Sequence, residues 1–357
     1  MKKILILTDQ DDAHGRVVTT ALRKKGVWVS RWNPRDFLLK HKINLFFQPG
    51  AGFDIVSEEI NINLKEIDIV WFRRPGLPIL PESIHPADIT FMKEESMVFM
   101  RSLWSFMCES ATWINPYSSY YVANSKLSQL SIALKLGLTI PNTLVSNDRN
   151  EIVEFINQNK ATGAIYKAFM PSTWEEGGEM FSSQTAAISA DILPSQTTLQ
   201  ITPGIYQSQV SKAYEVRATF FNDHCITVRI DNHNEVDWRS LFFKGNVPVS
   251  EIKLPSFIQD KCLELMKQLG IIFGCFDFIV TPSGEYVFLE VNEMGQFLWI
   301  EESLPQLKLL DTFCDFIIST ANKASHSNYA PTVNLADIED DKLYKEILAS
   351  DLLASRA

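Results

Sequence analysis

The chain has 357 residues, of which 46% are hydrophobic and 11% aromatic, and its formal net charge is −10. It is therefore long and apolar enough to form two or three packed units, and its acidic balance argues against a general nucleic-acid binder. No apolar run approaches membrane-spanning length, and the acidic residue Asp9 comes too soon for a secretory signal. We expect a cytoplasmic protein with neither a nucleic-acid nor a membrane partner.

The cysteines are odd in number, show no CxxC spacing and mostly lie among apolar neighbours. They are Cys108, Cys225, Cys262, Cys275 and Cys314. This usage is typical of buried free thiols in a reducing compartment, and the six histidines show no metal-ligand spacing either. We therefore expect neither disulfides nor a zinc site.

The first third of the chain has the pattern of a parallel α/β unit. Apolar runs predict strands, and apolar residues at helical spacing predict helices. The predicted elements are strands over residues 4–7, 26–32 and 67–72 and helices over residues 15–25 and 91–110. No GxGxxG motif follows the first strand, so we expect a nucleotide to bind elsewhere. The dipeptide Asn115-Pro116 is a turn signal that we take as the first domain boundary.

The remaining elements predict a small central lobe, an antiparallel sheet and a terminal helix. The predicted strands cover residues 138–145, 163–169, 198–201, 204–210, 214–221 and 225–230. The predicted helices cover residues 124–137, 151–159, 257–270, 304–321 and 337–357. Residues 170–184, which include Gly177 and Gly178, are interpreted as a mobile loop. The last helix is acidic, and we favour a helix packed on its own chain over a partner-binding segment.

A predicted hairpin near the end of the sheet has a polar face. Apolar alternation on both sides of Thr281-Pro-Ser-Gly284 predicts two antiparallel strands joined by a tight turn. Glu290 and Asn292 then share one face, and Asp277 lies opposite Glu290 or one diagonal step away on that face. Three oxygen ligands of this kind suit Mg²⁺, whose other ligands are water and phosphate oxygens. The alternative is a half-exposed hairpin with an ordinary polar face.

Five basic residues lie on elements that can converge on this face. They are Lys126, Lys167, Arg217, Arg229 and Arg239. Lysine offers a point charge to phosphate oxygens, whereas the planar fork of arginine suits bidentate contacts to phosphate or carboxylate. Lys167 lies inside an apolar strand, where an unpaired ammonium is costly, so a phosphate partner is favoured there. The alternative for each residue is an ordinary surface cation, and Arg239 can instead pair with Asp237.

A series of short motifs in one order resembles the ATP-grasp ligases over residues 115–303. The motifs are Asn124-Ser-Lys126, Gly137-Leu-Thr-Ile-Pro-Asn-Thr143, Tyr166-Lys167, Tyr206-Gln-Ser-Gln-Val210, Lys212-Ala-Tyr-Glu-Val-Arg217, Asp237-Trp-Arg239, Phe276-Asp277 and Leu289-Glu-Val-Asn292. A narrower resemblance is to the graspetide synthetases, the microviridin-type maturases of ribosomal peptides. It is carried by Trp71-Phe-Arg-Arg-Pro75, Lys212-Ala-Tyr-Glu-Val-Arg217, Asp237-Trp-Arg239 and Gly295-Gln-Phe-Leu-Trp-Ile-Glu301.

The resemblance implies an α/β and α+β protein with the ATP-grasp fold. It implies an N-terminal parallel α/β pre-ATP-grasp domain, a small central domain and a C-terminal antiparallel-sheet domain. The expected bounds are residues 1–115 for the pre-ATP-grasp domain, 116–200 for the central lobe with its lid loop, 201–321 for the C-terminal lobe and 322–357 for the acidic tail. By the same resemblance we expect leader-peptide contacts in residues 171–200 and a homodimer.

The resemblance also implies an ATP and Mg²⁺ site between two α+β lobes. Lys126 and Lys167 are expected on the phosphates, and the adenine hinge is expected at residues 207–210. The full set of expected nucleotide-binding residues is Lys126, Lys167, Gln207, Ser208, Gln209, Val210, Lys212 and Glu215. The expected Mg²⁺ ligands are Asp277, Glu290 and Asn292.

In ligases of this family a carboxylate attacks the γ-phosphate of ATP, and a hydroxyl or amine then displaces phosphate from the acyl phosphate. For a graspetide synthetase the carboxylate is an Asp or Glu side chain of a ribosomal precursor peptide, which consists of leader and core. The nucleophile is a Ser, Thr or Lys side chain of the same peptide, so the products are macrocyclic ω-esters or ω-amides. Arg217 and Arg239 are expected to grip that carboxylate or stabilise its acyl phosphate, with Asp237 orienting the arginine or assisting proton removal.

Two other functions stay open from the sequence. One is an ATP-grasp enzyme that joins an amino acid or small amine to a free carboxylate, as glutathione-synthetase-like and ribosomal-protein glutamate ligases do. The other is a non-catalytic nucleotide-binding regulatory protein with a degenerate grasp fold. The Trp-Phe-Arg-Arg-Pro and Asp-Trp-Arg segments favour the peptide-modifying ligase over the first. The intact metal ligands and both lysines count against the second.

Overall fold

The computed structural model describes residues 2–35, 37–40, 42–45, 47, 54–56, 64–170, 173–183, 185–232, 236–239, 248–320 and 332–354. The chain forms two compact units. Unit 1 comprises Met1–Tyr120, Gly270–Phe273 and Glu293–Ala357, and unit 2 comprises Tyr121–Leu269 and Gly274–Asn292. The chain therefore leaves unit 1 twice and returns to it twice.

Strands and helices alternate in the first unit, and strands dominate the second. The strands are β1 (Lys3–Thr8), β2 (Trp28–Trp32), β3 (Lys42–Asn44), β4 (Asp54–Val56), β5 (Ile69–Arg74), β6 (Thr112–Ile114), β7 (Thr143–Ser146), β8 (Ala164–Lys167), β9 (Thr173–Glu176), β10 (Glu179–Ser182), β11 (Ala186–Ile188), β12 (Gly204–Ser208), β13 (Tyr214–Phe221), β14 (His224–Ile230), β15 (Val249–Glu251), β16 (Phe273–Val280) and β17 (Tyr286–Asn292). The helices are α1 (Ala13–Lys24), α2 (Phe37–Lys40), α3 (Ile89–Phe106), α4 (Tyr120–Ala123), α5 (Lys126–Lys135), α6 (Arg149–Gln158), α7 (Gln196–Ile201), α8 (Ser256–Leu269), α9 (Leu298–Ser303), α10 (Leu309–Thr320) and α11 (Lys342–Ala354).

Unit 1 is built on a parallel sheet with the strand order β2-β1-β5-β6. The residues from Ile4 to Leu7 of β1 are fully buried, as in a strand that is covered on both faces. Helix α1 follows β1 directly, and α10 and α11 pack against it. The predicted parallel α/β opening of the chain is therefore confirmed.

An aromatic cluster joins the sheet of unit 1 to the following segments. The ring of Phe72 on β5 lies 5.3 Å from the ring of Trp104 on α3 and 5.3 Å from that of Tyr117. Tyr120 lies 5.6 Å from the same ring. Edge-to-face contacts of this kind stabilise a core beyond the burial of its apolar area.

The acidic tail ends in a helix that packs on unit 1. Asp351 on α11 is buried and accepts hydrogen bonds from Arg16 on α1 and Arg31 on β2. Nearer its start, Asp341 accepts from the Lys24 ammonium at 2.6 Å. The interpretation of the tail as a helix docked on its own chain is therefore confirmed.

Unit 2 contains two larger sheets and a hairpin. The strand order is β11-β8-β12-β7 in the first sheet and β15-β14-β13-β16-β17 in the second, while β9 and β10 form a two-stranded sheet. Helix α5 contacts both β17 and α8. The predicted antiparallel sheet of the last third is confirmed in the paired strands β13–β14, β14–β15 and β16–β17.

Two sequence predictions in unit 2 are wrong. The strand predicted over residues 198–201 is part of helix α7, because Ser195 caps the helix by accepting from the Thr198 N–H at 3.3 Å. The loop predicted over residues 170–184 contains the β9–β10 hairpin. Its two turn residues, Gly177 and Gly178, have φ of 62° and 84°, the positive values that a tight hairpin turn requires.

The structure also describes the cysteines and the length of the helices. All five cysteines are free, and four of them are buried. In the part of the chain that the structure describes, no helix is both long and apolar enough to span a membrane. The helix predicted over residues 304–321 begins later, at Leu309, after a short 3₁₀ turn that contains Pro305.

Candidate active site

The hairpin of β16 and β17 carries the expected metal ligands on one face. Asp277 lies directly opposite Glu290, and the register shifts by one residue after Asp277, leaving Leu289 as a bulge. The Asn292 amide donates to Asp277 Oδ2 at 3.0 Å and to Glu290 Oε1 at 3.4 Å. The predicted shared face is therefore confirmed by direct contact among the three side chains.

The oxygen atoms of this face fit Mg²⁺. Within the described residues, no group of three or more His, Cys, Asp or Glu side chains is placed to hold a metal. The set at this face consists of two carboxylates and one amide. Few protein oxygens suit Mg²⁺, because it keeps water and phosphate oxygens as its other ligands. The Asn292 amide now presents its nitrogen to the carboxylates, so its oxygen reaches the same point after a half-turn of the amide.

Arg217 on β13 is paired with the central carboxylate of the face. Its Nη1 donates to Oδ1 and Oδ2 of Asp277, both at 2.8 Å. Burial opposes the charge of Arg217, but the negative charge of Asp277 raises its pKa above the ordinary value. Arg217 therefore stays charged and fixes the position of Asp277.

Arg239 contacts three carboxylates at once. Its Nη1 lies 3.2 Å from Asp237 Oδ1, while its Nη2 lies 3.1 Å from Asp277 Oδ2 and 3.6 Å from Glu290 Oε1. Burial opposes its charge, but Asp277, Asp237 and Glu290 together raise the pKa of Arg239. The side chain is still 44% exposed, in contrast to Arg217. Arg239 thus pairs with Asp237 and also faces the expected metal ligands.

Lys126 begins helix α5 and reaches the end of β8. Its ammonium donates to the carbonyl oxygens of Ala168 at 2.8 Å and Phe169 at 3.1 Å. Burial, followed by the charges of Lys167 and Arg239, lowers the pKa of Lys126. A cation with a lowered pKa among other cations is stabilised by a bound anion, as the phosphate interpretation requires.

Lys167 ends strand β8 and acts on the same carboxylate face. Burial alone would raise the pKa of Glu290, but the charges of Lys167, Arg239 and Lys126 lower it. The Lys167 ammonium makes no hydrogen bond with any described residue. The other residues of this strand, Ala164-Ile-Tyr166, offer it no negative charge. The two lysines and the metal face are therefore close enough to interact electrostatically.

The expected adenine hinge continues from the end of β12. The Ser208 N–H donates to the Asn142 carbonyl, and the Gln209 N–H donates to the Gly163 carbonyl, both at 2.9 Å. Val210 follows as a half-buried residue. These bonds hold the hinge backbone between the neighbouring segments of its sheet.

Gln207 adds an unsatisfied acceptor just before this hinge. Its Nε2 donates to Thr143 Oγ1 at 3.0 Å, whereas its Oε1 is buried and has no partner among the described residues. A buried acceptor without a partner costs about 1–3 kcal/mol. Its chemistry fits a nucleotide base, because an exocyclic amino group is a donor.

Lys212 and Glu215 form a pair beside the arginines. The Lys212 ammonium and the Asn232 amide each donate to Glu215 Oε1 at 2.7 Å. Burial is the main cause of the raised pKa of Glu215, and Asp277 adds to it. Asn232 was missed by sequence reasoning, because a lone asparagine after a strand carries no signal of its own.

Gln129 was also missed, although it lies one helical turn after Lys126. It is buried, and its amide bonds to the backbone of Val291, between two of the expected metal ligands. A polar residue on the apolar face of α5 was the available signal. The structure thus brings together the two lysines, Arg217, Arg239 and the carboxylates that the sequence singled out, with two further amides in support. Arg229, the other arginine singled out, instead pairs with Asp231, its Nη2 lying 2.6 Å from Oδ1.

Comparison with known proteins agrees with this geometry. Residues 3–121 match the family model described as the MvdD pre-ATP grasp domain. A search of curated proteins finds no match. The macrocyclase MdnC from Microcystis aeruginosa MRC, solved with the precursor peptide MdnA, is 26% identical, with a TM-score of 0.79 over 89% of this chain and 100% of MdnC.

Two further solved structures are similar over nearly the whole chain. A Chryseobacterium gregarium RiPP-associated ATP-grasp ligase, in complex with ADP and a leader and core peptide, is 25% identical, with a TM-score of 0.80 over 93% of this chain and 100% of that chain. The macrocyclase MdnB from Microcystis aeruginosa MRC is 27% identical, with a TM-score of 0.75 over 89% and 99%. The predicted ATP-grasp fold, with its N-terminal pre-ATP-grasp domain, is therefore confirmed.

Proposed function

We propose that this chain, an ATP-grasp ligase similar to macrocyclases of ribosomal peptides, forms rings within a precursor peptide. It activates Asp or Glu side-chain carboxylates of the peptide as acyl phosphates and joins them to Ser, Thr or Lys side chains as ω-esters or ω-amides. MdnC and the C. gregarium ligase were solved with a precursor peptide and with a leader and core peptide, which supports a peptide substrate here.

The position of Arg239 carries this proposal. Carboxylates hold its guanidinium on one side, and 44% of the side chain is exposed on the other. A fixed, partly exposed arginine beside a candidate Mg²⁺ face suits an acceptor carboxylate or its acyl phosphate. A pure nucleotide binder has no need of a second anion at this point.

The nucleotide would be held by residues of unit 2. Lys126 and Lys167 would bind its phosphates, and Asp277, Glu290 and Asn292 would hold Mg²⁺. When bound, Mg²⁺ supplies positive charge to phosphate oxygens. Arg217 keeps Asp277 in place through two hydrogen bonds, so the carboxylate is oriented before any ligand arrives.

The reaction then proceeds in two displacements. A carboxylate oxygen of the peptide attacks the γ-phosphorus of ATP, and ADP leaves with the electron pair of the broken P–O bond. A hydroxyl or amine of the same peptide then attacks the acyl carbon, loses its proton, and releases inorganic phosphate. Each ring removes one water from the peptide for each ATP converted to ADP and phosphate. Arg239, oriented by Asp237, offsets the negative charge of the acyl phosphate.

The test is mass spectrometry of the short peptide encoded beside the gene for this chain, after incubation with the full-length protein, ATP and Mg²⁺. We expect successive losses of one water, which do not occur when ADP replaces ATP. Mild base restores the mass of ester rings but not that of amide rings. Addition of an amino-acid mass would indicate the small-molecule ligase instead, and ATP hydrolysis without any modified carboxylate would contradict both.

A further inference from the structure

The parallel sheet of unit 1 reverses its strand order between β1 and β5. Strand β2 lies on one side of β1, and β5, the next strand of this sheet along the chain, lies on the other. At such a reversal a crevice opens outside the carboxyl ends of the two strands, and open α/β sheets bind ligands there. The proposed ATP and Mg²⁺ residues all belong to unit 2, and none of them lies in this sheet.

A β-bulge turns two adjacent arginines in different directions at this crevice. Leu7 pairs with Phe72, but Thr8 pairs with Arg74, so Arg73 is an extra residue in β5. As a result Arg73 is fully buried and Arg74 is exposed. Without the extra residue, consecutive side chains would simply alternate between the two covered faces of the sheet.

The Arg73 side chain bonds to residues of its own unit. Its Nη1 donates to the carbonyl oxygens of Met294 and Gly295, and its Nε lies 3.4 Å from Asp12 Oδ2. These contacts join the Trp71-Phe-Arg-Arg-Pro75 segment to the segment that begins at Gly295. Two of the segments that carry the narrower family resemblance therefore meet at the Arg73 side chain, near the carboxyl end of β5.

Near the carboxyl ends of β1 and β5, Asp9 and Asp12 lie beside arginines other than Arg74. Asp12 lies beside Arg73, and Asp9 pairs with Arg35, whose Nη1 lies 2.6 Å from its Oδ2. The Arg74 side chain has no ion pair or hydrogen bond with any residue that the structure describes. Arg74 thus presents an exposed guanidinium at the mouth of the crevice.

His14 adds a buried ring that lacks a hydrogen bond. It lies in the first turn of α1, is 8% exposed, and packs edge-on against Phe297 with ring centroids 4.5 Å apart. Its Nε2 is buried and has no partner within the described residues. Burial, then the charges of Arg73 and Arg74, lower the pKa of His14 well below its ordinary value, so the ring is neutral. A neutral imidazole has one N–H to donate.

We infer that this crevice binds a single carboxylate group of a peptide, with Arg74 as its cationic partner and His14 as a hydrogen-bond donor. The planar fork of an arginine matches a carboxylate, and a buried polar atom without a partner marks a place where an external group completes the bonding. The choice of a peptide rests on the proposed function, whose substrate carries Asp and Glu side chains.

A carboxylate fits this crevice better than a phosphate. The loop between β1 and α1 contains Asp9, Asp11 and Asp12, whose negative charges oppose a dianion. One carboxylate matches the single charge of Arg74, which has no ion pair with any residue that the structure describes. The first N–H groups of α1 add a weak preference for negative charge at the same end of the sheet.

The test is titration of the full-length protein, labelled with ¹⁵N in its histidines, with N-acetyl-L-glutamate amide. We expect saturable shifts of the His14 ring signals, identified from their loss in a His14→Asn variant. The neutral N-acetyl-L-glutamine amide and inorganic phosphate should cause no such shift. Arg74→Gln should weaken binding of the acidic probe at least tenfold. Lys93→Gln, which removes one charge from the exposed surface of α3, should leave it unchanged.

Three outcomes would overturn the inference. They are no shift of the His14 signals with the acidic probe, equal binding by the wild-type protein and Arg74→Gln, and binding of phosphate in place of the probe. The titration needs neither ATP nor turnover, so it is independent of the macrocyclisation assay. If the wild type dehydrates its peptide and Arg74→Gln leaves the KM for that peptide unchanged, the carboxylate site fails and the proposed function stands. If no peptide is dehydrated while probe binding depends on Arg74, the function fails and the site stands.

Discussion

Gln129 donates from Nε2 to the carbonyl oxygen of Val291 at 2.8 Å, and its Oε1 accepts from the Val291 N–H at 2.9 Å. Val291 separates Glu290 from Asn292 on β17. Lys126, one turn before Gln129, begins the same helix. One buried amide therefore ties the helix of a phosphate-binding candidate to the strand of the metal-binding candidates.

Replacement of Gln129 by leucine should destabilise unit 2 and weaken nucleotide binding. The change leaves the N–H and carbonyl of Val291 buried without partners, and each such group costs about 1–3 kcal/mol. We expect the free energy of unfolding to fall by about 2–5 kcal/mol and binding of Mg²⁺-ADP to weaken about tenfold. Denaturant titration and calorimetry would measure the two effects. The control is Gln158→Leu on the exposed face of α6, for which we expect a change within about 0.5 kcal/mol.

Arg239→Ala should abolish cyclisation with little effect on folding. Its side chain is partly exposed, and Arg217 remains on Asp277, so no buried charge is left alone. We expect about a 10²–10³-fold lower kcat, the usual cost of removing one preorganised charge. Nucleotide binding should stay close to that of the wild type. Normal product formation by this variant would contradict the role of Arg239, and Arg101→Ala on α3 is the control.

Arg217→Met should behave differently from Arg239→Ala. Removing this buried partner leaves Asp277 short of a counter-charge in the interior, which typically costs about 3–5 kcal/mol. We therefore expect the melting temperature of Arg217→Met to be lower than that of the wild type. Differential scanning calorimetry of both variants checks the contrast, and equal melting temperatures would show that Arg217 does not anchor the site.

Lys167→Met should leave the fold intact and weaken the binding of ATP. The ammonium has no hydrogen bond among the described residues, so its removal breaks none. The loss of its attraction to Glu290 is offset by the loss of its repulsion from Lys126. In the wild type, Mg²⁺-ADP at about 100 times its Kd should add about 2.7 kcal/mol to stability. We expect that gain to shrink by at least half in Lys167→Met. Lys160→Met, at an exposed residue of the same unit, should show the full gain.

Asp351→Ala should destabilise unit 1 through its tail. The change leaves Arg16 and Arg31 without the buried carboxylate that they share, at a cost of about 3–5 kcal/mol. Chemical denaturation followed by tryptophan fluorescence measures it. Asp340→Ala removes an almost fully exposed carboxylate from the same tail and should cost less than about 0.5 kcal/mol. Equal effects of the two changes would show that the tail is not anchored at Asp351.

The sequence predicts best where one periodicity and one burial pattern agree. The face shared by Glu290 and Asn292 follows from strand alternation within β17 alone. The side on which Asp277 lies depends on the bulge at Leu289, because the register next to the turn, with Phe278 opposite Phe288, would pair Asp277 with Leu289. The fate of residues 198–201 could not be predicted in this way. Their β-branched residues favour a strand, and the cap at Ser195 decides for a helix.

Contacts between residues that are far apart in the sequence could not be predicted from local sequence patterns. The bulge that separates Arg73 from Arg74 depends on pairing with β1, and the bonds of Gln129 depend on how α5 packs on β17. The role of each site residue and the three domain boundaries placed at residues 115, 200 and 321 stay predictions. Only nucleotide and peptide binding can separate a residue that contacts substrate from one that supports its neighbours.

The division of the chain also bears on the order in which the protein is completed during synthesis. Unit 1 starts with the first strand but needs residues 293–354, including α9, α10 and α11, before its last surfaces are covered. All of the chain that forms unit 2 lies within residues 121–292 and leaves the ribosome earlier. The half that begins first is thus finished last, and a nascent chain that stops before Asp351 exposes α1 and β2.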